Sequence, residues 1–130
     1  MHEVSKEKAQ AAETHAQSSE KHGKTMEECG KALKGMGSPQ RIHGELIEHY
    51  AQAAQKHAQA SQKHAQAAQK HDANSTESYA QAGIEHTKET QSHVKALKEY
   101  VKLVKEQLDK FRKLWQIKRT LNEDEGARNY

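Results

Sequence analysis

Histidine is the residue with the most chemistry to offer here: there are ten in 130 residues, and their spacing is regular. His57, His64 and His71 each close one copy of a heptad, beginning Ala51-Gln52-Ala53-Ala54-Gln55-Lys56-His57 and repeated with Ser61 as the one change in its pattern of alanines. His15 and His22, and later His86 and His93, keep the same step. Imidazole ligates transition metals and changes charge near neutral pH. Seven residues are nearly two helical turns, so such histidines form a column with about 10.5 Å between members. Two members of one column cannot share an ion. Any metal must therefore lie between helices, and alignment of the columns predicts layers of His22, His57 and His93 and of His15, His64 and His86. Zinc or nickel is the ion such a layer would take. The reading that needs no cofactor is a duplicated heptad whose neutral imidazoles hydrogen-bond to neighbouring glutamines. His22, Met26 and Cys29, at i, i+4 and i+7, would suit copper(I) as a ligand set, or are ordinary packing residues. Crowded imidazoles also predict that acid loosens the bundle, through like-charge repulsion.

The elements that carry these columns are helices. Gly35-Met36-Gly37-Ser38-Pro39 marks a sharp break, and Asp72-Ala73-Asn74-Ser75-Thr76 a softer one rich in turn and cap formers. Between the breaks the periodicity predicts three helices, over about 4–35, 40–72 and 75–121, in a single domain with a frayed tail over 122–130. The third helix sets the heptad frame, labelled a to g. Val94, Leu97, Val101, Val104, Leu108, Phe111 and Trp115 alternate spacings of three and four and occupy a and d. Position g then holds Tyr79, His86, His93 and Tyr100. In the second helix g holds His43, Tyr50, His57, His64 and His71, above a seam of Ala51, Ala54, Ala58, Ser61, Ala65 and Ala68. In the first, Ala9, Ala16, Gly23 and Gly30 take a, with Ala12, Ser19, Met26 and Leu33 at d.

Short connections predict antiparallel neighbours. The fold expected is all-α: an antiparallel, coiled-coil-like three-helix bundle with a long C-terminal helix. Large apolar residues should converge at the end near Gly35 (Met26, Leu33, Met36, Ile42, Leu46, Ile47, Tyr50, Leu97, Val101, Val104 and Leu108). Beyond Leu108 the third helix outruns its partners. Leu108, Phe111, Leu114, Trp115 and Ile117 are therefore the expected interaction surface.

Composition narrows the function. Only 33% of residues are apolar and 5% aromatic, which is too little for a large compact core. The net charge of +3 does not demand nucleic acid. Residues 95–119 hold nine Lys/Arg against three Asp/Glu, a net +6, so an anionic membrane surface is an alternative target for that helix. No apolar stretch reaches the length of a membrane span. A lone cysteine and the absence of an apolar leader point to a cytoplasmic protein. No phosphate loop, nucleophile elbow, Cys-x-x-Cys or His-Glu-x-x-His is present, and Glu45/His49 and Glu89/His93 specify no chemistry alone. The function expected is non-enzymatic: protein–protein interaction, in part by self-association. The alternatives are a histidine-layered metal-binding or pH-responsive bundle, and a membrane-surface binder.

Overall fold

The structure, a computed structural model, describes residues 5–70 and 74–128. The described residues form three helices: α1 (Lys6–Lys34), α2 (Gln40–Ala68) and α3 (Ser75–Arg128). Alanine, glutamine, lysine and glutamate dominate all three, and these residues lose little on entering a helix. Ser5 caps α1, its side chain accepting a hydrogen bond from the Lys8 amide at 3.2 Å, as an N-cap serine does. The break after Lys34 falls where glycine and proline predict it. Gly37 adopts φ 85°, a left-handed conformation natural to glycine. Its carbonyl accepts from the Arg41 amide at 2.7 Å. The softer break is only partly visible, because His71, Asp72 and Ala73 lie outside the described residues. α2 ends at Ala68, four residues earlier than its periodicity predicts. α3 continues through 122–128, where a frayed tail is expected.

The order of packing is linear. α2 lies between α1 and α3 and packs extensively on both, while α1 and α3 scarcely touch. Both interfaces are antiparallel. Glu13, Glu20 and Lys34 of α1 meet Gln69, Gln62 and Glu48 of α2. His43 and His57 of α2 meet Glu99 and Glu85 of α3. α2 buries its whole a/d seam: Gly44, Ile47, Ala51, Ala54, Ala58, Ser61, Ala65 and Ala68. Its a column faces α1 and its d column faces α3.

Against α1 the contact is backbone to backbone. A Cβ on Gly30 would lie 2.7 Å from the Glu48 amide nitrogen and 2.8 Å from the Gly44 carbonyl oxygen. One on Gly44 would lie 2.6 Å from the Gly30 carbonyl oxygen. Heptad steps from this pair oppose Gly23 to Ala51, Ala16 to Ala58 and Ala9 to Ala65, all buried as expected.

Against α3 the observed face differs from the expected one. The buried residues of α3 are Ser75, Ala82, Glu89, Ala96 and Leu103, a strict seven-residue column at position c. The a/d seam is turned outward: Val94, Leu97, Val101, Val104 and Leu108 leave between 37% and 54% of their surface to solvent. The large apolar residues do not converge at one end either. Ile47 and Leu103 are buried, whereas Met36, Ile42 and Leu46 are exposed. The physical reason is close approach. Small residues at c let α3 sit directly on the alanine-rich d column of α2, where Ser61 donates to the Ala82 carbonyl at 2.9 Å. Ion pairs beside that column set the rotation.

α3 outruns its partners. Leu103 is the last of its buried residues. The helix runs on from Val104 to Arg128, a length of roughly 37 Å.

Candidate functional site

Three features gather the side chains with chemistry: an ion-pair ladder between α2 and α3, a groove between α1 and α3, and the outward seam of α3.

The ladder consists of α2 histidines at g and α3 glutamates at the neighbouring f position. His43 lies between two carboxylates, with Nδ1 3.0 Å from Glu99 and Nε2 3.0 Å from Glu106. A neutral imidazole has one N–H, so only the imidazolium donates to both. Glu99 raises the pKa of His43 most; burial opposes it, and Glu106 adds to the rise. The direction follows from hydrogen bonds and charges that favour the protonated ring. Burial pushes the Glu99 carboxyl up, but hydrogen bonds from His43 and Lys102 outweigh it and hold it below its ordinary value. His57 Nδ1 is 2.7 Å from Glu85, and this bond is the largest cause of the lowered pKa of Glu85. His43 lies outside the expected histidine layers, and its neighbours are carboxylates rather than imidazoles.

The α1–α2 edge carries the contrasting arrangement, position e against position e. Gln62 and Gln59 donate to Glu20, and Gln69 donates to Glu13 at 3.2 Å. Glu20 and Glu27 are held below the ordinary carboxylate range, first by hydrogen bonds from Gln62 and Gln52 respectively. Among the described residues, Gln52, Gln59, Gln62 and Gln69 donate to glutamates and Gln55 to the Ala51 carbonyl, rather than to histidines.

The histidine layers are met in part. His22 of α1 and His93 of α3 bring their rings to 6.5 Å between centroids. One heptad lower, His15 and His86 line a cleft of about 330 Å³, together with Lys8, Tyr79 and a floor of Ala12, Ser61 and Ala82. The α2 members are elsewhere: His57 is engaged by Glu85, and His64 lines neither this cleft nor the His22–His93 contact. Among the described residues no three His, Cys, Asp or Glu side chains stand where they could hold one ion. His93 Nδ1 is buried without a hydrogen-bond partner. Glu89, 4% exposed, makes only a 3.4 Å bond from Thr90 and a 3.8 Å contact with His86.

The expected interaction surface is exposed throughout. Phe111 and Leu114 leave about two thirds of their surface to solvent, and Leu108, Trp115 and Ile117 more than half. The Arg119 guanidinium lies 5.5 Å from the centre of the Trp115 ring, a distance at which cation and ring attract. The exposed stripe is longer than the sequence suggests, because the Val94–Val104 part of the seam joins it. Sequence reasoning missed Glu85, Glu99, Glu106 and the c column. Their seven-residue spacing was the available signal, hidden by the larger side chains at a and d.

No helix of the described residues is long and apolar enough to cross a membrane. Comparison with models of known protein families, with curated proteins and with solved structures returns no match.

Proposed function

We propose that this protein is a non-enzymatic docking protein that binds another helix along the outer face of α3. One observation carries the reading. An apolar seam with alternating three- and four-residue spacing, Val94 to Trp115, is exposed over its whole length. Such a seam buries large side chains when a second helix supplies the holes. Exposed apolar stripes of this extent mark interaction sites in monomeric proteins. The chain presents 9154 Å² of accessible surface, against roughly 6,900 Å² for a compact protein of its mass. The α1–α2 pair is then a rigid support that holds α3 extended. Self-association is one form this docking takes, and binding of a different chain is the other.

The test is titration of the full chain with synthetic heptad-repeat helices while the emission of Trp115, the only tryptophan, is followed. Docking predicts a blue shift that saturates at one helix per chain, and loss of binding in Val101→Asp. Emission that stays at the exposed wavelength with every peptide, and in the chain alone at high concentration, would sink the reading.

A second reading rests on the His22–His93 contact and the unpartnered Nδ1 of His93. Two imidazoles from different helices form half of a tetrahedral zinc or nickel site, with water in the other positions. NMR of the histidine ring nitrogens with and without one equivalent of zinc tests it. Saturable shifts confined to His22 and His93 support the site; weak, uniform shifts across all the rings count against it.

A further inference from the structure

We infer that the helix received by α3 belongs to a different, acidic chain: an amphipathic helix with carboxylates along the column that faces Lys98, Lys105, Arg112 and Arg119. The inference rests on the docking reading above and adds the partner's chemistry. In heptad pairing, a and d residues supply the apolar contact and the flanking e and g columns select the partner. The e column of α3 is cationic at four successive positions, and all four residues are exposed. Lys98, Lys105 and Arg112 make no ion pair among the described residues, whereas Arg119 pairs with Glu123 of its own helix at 3.3 Å. The g column on the other edge holds His93, Tyr100, Gln107, Leu114 and Leu121, with no carboxylate.

This asymmetry argues against a second copy. Antiparallel helices oppose e to e, as α1 and α2 do through Glu20 and Gln62. Two antiparallel copies of α3 would set cation against cation down the whole seam. Two parallel copies would set e against g and gain no opposite charge. Of the three carboxylates of α3 in this stretch, Glu99 and Glu106 are turned toward α2 and occupied by His43, and Asp109 stands at b, behind the cationic column and away from the seam. An acidic column, by contrast, meets the three unpaired cations and Arg119, which Glu123 shares, in either orientation. A lipid surface fits less well. A helix lying on lipid gains from cations all round its polar face, whereas here the g edge of the seam carries no Lys or Arg.

The experiment uses the full chain and two four-heptad peptides with identical valine and leucine at a and d. One carries glutamate at e and g, the other lysine. Four flanking pairs at ordinary strength predict about tenfold tighter binding of the glutamate peptide at low salt. That advantage should shrink several-fold when the salt is raised tenfold. The triple variant Lys98→Glu/Lys105→Glu/Arg112→Glu should invert the preference while melting like the parent, since these side chains support nothing within the chain. Equal binding of both peptides overturns the acidic partner but leaves the docking reading standing. A concentration-dependent dimer that the glutamate peptide cannot dissociate assigns the seam to a second copy and overturns the acidic partner. Binding to mixed phosphatidylcholine–phosphatidylserine vesicles, with neither peptide bound, assigns it to lipid and overturns both readings.

Discussion

α2 makes two interfaces with one small-residue seam, and they are built on different physics. Toward α1 the contact is steric: Gly30 and Gly44 bring the backbones together, and neutral glutamines donate to Glu13 and Glu20 along the edge. Toward α3 the contact is electrostatic as well: His43 and His57 pair with Glu99, Glu106 and Glu85 beside a column of alanines. The first interface tolerates no added atom; the second changes with pH. The difference shows how repeats of one heptad serve two partners, since residues at e face one helix and residues at g the other.

The largest expected effect breaks the steric side. Gly44→Leu must displace the Gly30 carbonyl and the Lys34 amide, both backbone groups. A loss of about 3 kcal/mol or more is expected, beyond ordinary overpacking. Amide exchange should show protection lost across α1 and kept along α2 and α3. Retained protection of α1 would mean that the interface is looser than its contacts imply.

Next comes Ile47→Ala, which empties the largest fully buried side chain of the α2–α3 interface. A cost of about 2–4 kcal/mol in chemical denaturation is expected. A much smaller cost would mean that Leu103 and the ladder hold α3 without it.

The pH dependence separates the two interfaces. The raised pKa of His43 adds stability that is fully present below its unfolded value, near 6.5, and is lost as pH rises through the folded value. The lowered pKa values of Glu85 and Glu99 add stability present above their unfolded value, near 4.5, and lost as pH falls through the folded ones. The α2–α3 contact is therefore strongest between these limits. The α1–α2 contact, resting on Glu20 and Glu27, weakens only on the acid side. Melting temperature should fall by a few degrees from pH 6 to pH 8.5. His43→Gln should cost about 1 kcal/mol at pH 6 and flatten that slope. A slope unchanged in the variant would remove His43 from the account.

The smallest effects concern surfaces that touch nothing. The side chain of Val101 is exposed. Val101→Asp should therefore change stability by no more than about 0.5 kcal/mol. A Cβ on Gly83 meets nothing within 4 Å. Gly83→Ala should therefore gain about 0.5–1 kcal/mol. Melting curves check both.

Much of the fold was legible in the residues. The glycine–proline break, the three helices, the a column of α1 and the whole a/d seam of α2 follow from period and turn chemistry. Of the histidine layers, His22 and His93 approach one another and His15 and His86 share a cleft, while His57 and His64 of α2 join neither pair. Leu108, Phe111, Leu114, Trp115 and Ile117, the expected interaction surface, are exposed as the unequal helix lengths require.

By itself the sequence determined which positions repeat, because a seven-residue period places like residues on one line of any helix. It could not determine the rotation of α3 about its own axis. Two lines on that helix compete, large side chains at a and d and small ones at c. The choice depends on how closely α2 lets a backbone approach and on which charges lie beside the contact. The tertiary structure decided for the small line, since Ala82 meets Ser61 and Ala96 is buried one heptad pair further along, while His43 and His57 reach Glu99 and Glu85. That choice leaves the large apolar line outside, exposed to solvent.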